Sequence, residues 1–245
     1  MFNIFSRKRE RQPLFYKTDI HCHILPGIDD GSPDVDTSVR LVNRMAQWGL
    51  ELIIASPHVT YGTFPNTKET VTPALTSLTD RLTAEGVTTP AISHSAEYRI
   101  DDLFLDHLAK NELMMLPMQY LLIENSFMQE PWNLDRLVFD LQVKGYRPIL
   151  AHPERYSYYY KRQDRYRTLH DAGLLFQCNV LSLAGAYGPA EKRVAEQLIK
   201  DGMVDFLGTD LHRESHADAI DAYLASKDYL KHRDALQGRL LNDTL

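Results

Sequence analysis

Two cysteines in 245 residues leave the chain without a disulfide framework. Cys22 and Cys178 lie far apart in apolar, strand-like segments, where buried free thiols are the expectation and a reducing cytoplasm is the matching compartment. A cysteine-based phosphatase is excluded, because such a nucleophile needs an arginine six residues later and Ile28 and Ala184 stand there. Surplus positive charge is missing too. With 27 Lys+Arg against 33 Asp+Glu the formal net charge is −6, so nucleic acid finds no general attraction. No apolar run approaches the ~18 residues of a membrane span. Met1-Phe2-Asn3-Ile4-Phe5-Ser6-Arg7-Lys8-Arg9 lacks the order of a secretory signal, so the protein is expected to remain cytoplasmic. Neither a Gly-x-x-x-x-Gly-Lys loop nor a Gly-x-Gly-x-x-Gly fingerprint occurs, which removes nucleotide cradling. Asp34-Val35-Asp36-Thr37-Ser38 has the letters of an aspartyl-phosphate motif but opens a helix instead of ending a strand.

What is present centres on Thr18-Asp19-Ile20-His21-Cys22-His23, followed by Pro26-Gly27 and the pair Asp29-Asp30. On a strand, His21 and His23 point the same way, and two imidazoles near carboxylates are the donors of a divalent metal site. Residues 1–16 read as a separate extension, with Phe2, Ile4 and Phe5 beside Arg7-Lys8-Arg9 and Arg11. Such a segment can dock on its own domain, on a partner, or weakly on a membrane. Residues 17–245 read as one domain.

Strand and helix patterns then alternate. Strands are expected at 51–58, 91–97, 118–124, 148–152, 174–179 and 205–210, with helices between them and two more at 217–227 and 228–241. Such alternation gives parallel strands with right-handed crossovers, and seven apolar strands point to a closed or nearly closed barrel. Barrel sites sit at the carboxyl ends of the strands. Those ends carry His21 and His23, His58, Glu97, Glu124, His152, and Asp210 with His212, while the first loop supplies Asp29 or Asp30, of which we favour Asp30. Only the sixth strand, ending Cys178-Asn179, offers no metal ligand. Burying so many carboxylates and imidazoles together without a cation would cost several kcal/mol. His94 lies three residues before Glu97 and so on the opposite strand face. His107, His170, His216 and His232 fall in helices or loops.

The ordered set His21-x-His23, Asp30, His58, Glu97, Glu124, His152 and Asp210-x-His212 resembles the PHP superfamily (polymerase and histidinol phosphatase domain) from about residue 18 to 215. Leu150-Ala151-His152-Pro153-Glu154-Arg155-Tyr156 and Leu122-Ile123-Glu124 are similar to the bacterial manganese-dependent protein-tyrosine phosphatases of capsule and exopolysaccharide synthesis. The resemblance implies a distorted (β/α)7 barrel, three divalent metals (manganese first, iron or zinc as alternatives), and a phosphotyrosine-bearing tyrosine autokinase as substrate, near the inner face of the membrane. In that reading metal-activated water attacks phosphorus and Arg155 forks onto the phosphate. Asp210 and His58 serve catalysis as well as metal binding. Relatives often carry a basic residue several positions after the last Asp-x-His; here Arg213 follows at once, with His216 nearby. Tyr156 and Tyr158-Tyr159-Tyr160 either wall a pocket or pack a helix start. Two rival functions share the metals: a histidinol-phosphatase-like small-molecule phosphomonoesterase, and a non-catalytic metal-binding regulatory barrel recruited to a kinase complex.

Overall fold

Apolar strand cores alternating with amphipathic helices close here into a ring. The computed structural model describes residues 10–88 and 90–245. Strands β1 (Thr18–Asp19), β2 (Leu52–Ala55), β3 (His58–Thr60), β4 (Phe64–Pro65), β5 (Ala91–His94), β6 (Glu97–Arg99), β7 (Tyr120–Glu124), β8 (Arg147–Ala151), β9 (Leu175–Asn179) and β10 (Phe206–Gly208) are interleaved with helices α1 (Val35–Gln47), α2 (Lys68–Ala84), α3 (Asp102–Lys110), α4 (Leu134–Val143), α5 (Gln163–Asp171), α6 (Val180–Ala184), α7 (Pro189–Asp201), α8 (Glu214–Leu224) and α9 (Lys227–Leu236). Their ends follow local chemistry. Asp34 caps α1 by accepting from Thr37 N at 2.7 Å, Asp101 caps α3 through Phe104 N at 3.0 Å, and Pro189 occupies the first turn of α7. The last two helices begin three residues and one residue earlier than the sequence pattern suggests, the second because Ser226 caps α9 through Tyr229 N.

Two strand positions are broken. The expected strand at 51–58 pauses at Ser56-Pro57 and resumes as β3; the next pauses at Ser95-Ala96 and resumes as β6. Pro57 has no N–H for the ladder, and the jog shifts both chains from a three-stranded sheet, β1-β2-β5, into a seven-stranded one, β10-β9-β8-β7-β6-β3-β4. Strands β3 and β6 restart in register, His58 opposite Glu97. All pairings are parallel except the short β3-β4 hairpin, which the sequence pattern does not reveal. The ring closes where Cys22 bridges Leu211: Asp210 N donates to His21 O at 2.7 Å, His23 N to Leu211 O at 2.9 Å, and Ser56 N to Cys22 O at 2.9 Å. The result is a distorted seven-position parallel barrel.

Tyr120, Leu122 and Glu124 alternate onto one face of β7. With Ile20, Ile54, Ile149 and Phe206 the first two form an apolar cluster of their own, so the ring interior is apolar at one end and lined with histidine and carboxylate side chains at the other. The larger cluster packs helices against the outside of the ring and includes Leu14 and Tyr16, both buried. Residues 12–16, which the sequence pattern assigns to the extension, thus pack into the body: Leu14 N donates to Trp48 O at 2.8 Å and Gln12 N to Leu224 O at 3.2 Å. The Phe2, Ile4, Phe5 and Arg7-Lys8-Arg9 pattern lies outside the described residues. Cys22 and Cys178 are buried and free, and no helix among the described residues is long and apolar enough to cross a membrane.

Candidate metal centre

His21 and His23 converge as strand alternation requires, with Nε2 atoms 3.3 Å apart. The closeness of the last strand depends on glycine: a Cβ at Gly208 would sit 2.6 Å from His21 Cβ. A Cβ at Gly31 would lie 2.1 Å from His23 O, which explains the tight loop after Asp30. Around this pair, four groups of donor atoms come within 4.8 Å of one another: His23, Asp30, His58 and His212; His21, Glu97 and His152; His21, His23 and Asp210; His58, Glu97 and Glu124. These nine residues are those the strand-end pattern singles out. Glu97 is central, with His58 Nδ1 and His152 Nε2 each 2.9 Å from its oxygens and His21 Nε2 at 3.3 Å.

The loop carboxylates divide the work. Asp30 Oδ1 faces the cluster, 3.4 Å from His58 Nε2 and 3.5 Å from His212 Nε2. Asp29 stands behind it, accepting from His58 N at 3.1 Å and contacting His23 Nδ1 at 2.9 Å. Similar partners stand behind two other rings: His21 Nδ1 meets Gln177 Oε1 at 2.6 Å and His212 Nδ1 meets Asp210 O at 2.9 Å. Each such partner fixes the N–H on Nδ1 and leaves an Nε2 lone pair aimed inward. His152 and Asp210 adopt positive φ, 36° and 50°, a left-handed backbone that is costly outside glycine and clusters at functional sites.

Electrostatics register the crowding. Burial opposes the imidazolium at His21 and His58, yet Glu97, with Asp210 at His21 and Glu124 at His58, outweighs it and holds them up at about 9 and about 10. Burial next to Glu97 pushes Glu124 up to about 7. Burial lowers His152 to about 4. The cluster therefore has surplus negative charge that protons meet in part and that a cation meets fully.

A cavity of about 370 Å³ opens over these ligands. Arg155 lines it, its Nη1 2.9 Å from Asp210 Oδ2. Arg213 lines it as well and donates through Nε to His216 Nε2 at 3.0 Å. His216, lowered to about 4 by burial and by Arg213, is neutral and able to accept. The tyrosine run packs instead of walling the cavity: Tyr156 and Tyr159 are buried in the core, and the Tyr156 hydroxyl donates to Ala151 O. The aromatic walls are Phe64, Phe127 and Tyr187. A third guanidinium, Arg99, also lines the cavity and pairs with Glu124 at 2.9 Å; strand alternation, which puts Arg99 on the face of Glu97, is the signal that points to it. The sixth strand supplies amides: Gln177 contacts His21 and donates to Asn179 Oδ1 at 2.9 Å, and Asn179 Nδ2 donates to Asp210 Oδ2 at 2.6 Å. His94 and His107 line a different cavity, His170 pairs with Asp205, and His232 lies between Tyr223 and Glu196.

Known proteins resemble the chain in sequence and fold. The tyrosine-protein phosphatase YwqE of Bacillus subtilis is 34% identical over 195 residues, 79% of this chain and 76% of that protein. A solved chain from the crystal structures of YwqE from Bacillus subtilis and CpsB from Streptococcus pneumoniae, described as metal-dependent tyrosine phosphatases, superposes with a TM-score of 0.78 at 32% identity, covering 93% of this chain and 96% of that one. Histidinol phosphate phosphatase from Lactococcus lactis, at 17% identity and a TM-score of 0.51 over 87% of this chain and 94% of that one, shares the fold. Residues 17–226 match the capsular polysaccharide synthesis family CpsB/CapC. The chain belongs to that family.

Proposed function

We infer that the chain is a metal-dependent protein-tyrosine phosphatase. The finer reading is ours: up to three divalent ions, manganese first among them, held by His21, His23, Asp30, His58, Glu97, Glu124, His152, Asp210 and His212, and a phosphotyrosine-bearing tyrosine autokinase of capsule or exopolysaccharide synthesis as substrate. One observation carries the metal assignment. His58 Nδ1 and Glu97 Oε2 are 2.9 Å apart, yet both atoms, and Glu124 Oε2, are buried without a hydrogen bond. Buried nitrogen and carboxylate oxygen atoms crowded to contact distance without an aligned hydrogen bond are the donor set a mixed N/O metal site would use, the incoming cation displacing the imidazole proton.

Metal ions bound there would supply Lewis acidity toward the phosphate and activate a water as nucleophile. The chain's own residues do the rest. Arg155, its planar fork held against Asp210, presents N–H groups to equatorial phosphate oxygens, and Arg99 and Arg213 add positive charge along the cavity wall. Phe127 and Tyr187 flank Arg155, with ring centroids 5.0 and 4.3 Å from its guanidinium carbon, and give an aryl ring an apolar wall. A phenolate leaving group, with pKa near ~10, needs less protonation than an alkoxide. That suits a cavity with no well-placed general acid beyond the ligand set. The buried, unbridged cysteines support a cytoplasmic setting.

The deciding experiment combines elemental analysis with turnover of p-nitrophenyl phosphate, a phosphotyrosine peptide and histidinol phosphate. Bound metal, aryl-phosphate turnover lost on chelation, and preference for the peptide are expected. Trace metal only would remove the centre, preference for histidinol phosphate would make the chain a small-molecule phosphatase, and bound metal without turnover would make it a binding module.

A further inference from the structure

Eight large apolar side chains are exposed among the described residues, and five of them, Phe127, Met128, Trp132, Phe139 and Val143, fall between residues 127 and 143. Trp132 is 95% and Met128 87% exposed. The loop that carries them is anchored at both ends. The Tyr158 hydroxyl donates to Ser126 O at 3.0 Å, and the largely buried Arg165 forks onto Asp135 at 2.9 and 2.8 Å while also binding Glu130. Phe127, the inner end, lines the catalytic cavity. Beyond the loop, α4 buries Leu134, Leu137, Val138 and Leu141 and leaves Phe139 and Val143, one helical turn apart, on its outer side. A fixed apolar strip thus leaves the cavity mouth at Phe127 and runs over Met128 and Trp132 onto α4.

We propose that this strip docks the polypeptide flanking the substrate phosphotyrosine, through apolar side chains a few residues from that tyrosine. The proposal rests on the tyrosine-phosphatase reading above and deepens it. Continuity with the cavity identifies the occupant, because Phe127 is both a wall of the site that takes the phosphotyrosine and the first residue of the strip. Reach agrees: the ten residues of α4 extend about 15 Å, which an extended peptide covers in about five residues. An anionic bilayer is disfavoured. The net charge is −6, Glu130, Asp135 and Asp140 border the strip, and Arg136 and Arg165 are already paired. Exposed apolar patches rimmed by polar groups mark interaction sites, and tryptophan is the residue that most often dominates them.

The test compares two phosphotyrosine peptides, one with leucine or phenylalanine two to five residues from the phosphotyrosine on either side, one with serine at those positions. Wild-type protein and the variant Trp132→Ser/Phe139→Ser are assayed on both and on p-nitrophenyl phosphate. Wild type should favour the apolar peptide about tenfold in kcat/KM, and the variant should lose that preference through KM. Hydrolysis of p-nitrophenyl phosphate should stay within twofold, since neither residue lines the cavity. A wild type without preference, or a variant that keeps it, overturns the proposal. So does sedimentation showing a wild-type dimer that the variant abolishes, or flotation with phosphatidylcholine vesicles that the variant abolishes. No hydrolysis of any aryl phosphate would overturn the phosphatase reading and the docking strip with it; hydrolysis without discrimination overturns the strip alone.

Discussion

Asp210 Oδ2 takes three donors, Arg155 Nη1 at 2.9 Å, Asn179 Nδ2 at 2.6 Å and the Tyr187 hydroxyl at 3.0 Å, while its Oδ1 faces His21 and His23 at 3.5 Å. One oxygen is anchored by protein and the other turned to the cluster. Removing Arg155 should therefore leave Asp210 aimed by its remaining two donors. Arg155→Ala is expected to keep its metal but to lose about 2 to 4 kcal/mol of transition-state stabilisation, a rate drop of about 30-fold to 1000-fold. Lysine should restore only part, keeping charge without the fork. Kinetics on a phosphotyrosine peptide, with metal measured on the same samples, checks this; near-normal kcat/KM in the alanine variant would remove Arg155 from the mechanism.

Gln177 acts one step further back. Its Oε1 accepts from His21 Nδ1 at 2.6 Å, and Gln177→Leu deletes that acceptor inside the ring. Loss of an outer partner of a ligating histidine typically weakens metal binding by about 10- to 100-fold. Gln177→Glu keeps an acceptor and should retain most of the affinity. Competition of the metal-free protein with a chelating dye reads the difference directly, and equal affinities for wild type and the leucine variant would deny Gln177 this role.

The pair His170–Asp205, 3.0 Å apart and away from the centre, gives a pH signature. The hydrogen bond to Asp205 raises the His170 pKa against partial burial. A histidine raised in the folded state stabilises fully below its unfolded pKa, and the contribution fades as pH climbs through the folded value. With its side chains still reached by solvent, the pair should contribute no more than about 1 kcal/mol. His170→Gln should lower the melting temperature at pH 6 and leave it near wild type at pH 9; an equal loss at both would mean packing, not charge.

Truncation separates the two parts of the amino-terminal segment. Removing residues 1–9 should leave p-nitrophenyl phosphate hydrolysis unchanged within about threefold, as expected of a segment without a candidate ligand. Removing residues 1–16 also deletes buried Leu14 and Tyr16, a loss on the order of 5 kcal/mol. Thermal melts of the two variants make the comparison.

The barrel and the convergence of its eight strand-end side chains were legible because both depend on spacing: periodic apolar runs set the order of strands, and alternation set which way His21 and His23 point. What stayed hidden depends on contacts between distant segments. Tyr187 sits in a loop with no period to read. Gln177 and Asn179 look like ordinary polar residues of a buried strand until β9 lies beside β10 and the ring closes on His21. The breaks at Ser56-Pro57 and Ser95-Ala96 have a local cause only at Pro57; the second follows its neighbour, because β6 must stay in register with β3. Leu14 and Tyr16 are too few to form a pattern and reveal their burial only against Trp48 and Tyr229.

The seam between Cys22 and Leu211 also dictates when the centre can exist during synthesis. Asp19 accepts from Thr209, 190 residues later, and the candidate ligands on the two sides of the seam, His21 and His23 with Asp210 and His212, meet only once it closes. Contacts of such separation form late, after the loop entropy of nearly the whole chain has been overcome. A ribosome-bound chain that stops short of His212 can assemble the strands from β2 to β9 but lacks one wall of the metal cluster. Completion of the candidate metal cluster is thus tied to the last strand: a chain truncated before it loses the two donor groups that need Asp210 or His212 and keeps only that of His21, Glu97 and His152 and that of His58, Glu97 and Glu124.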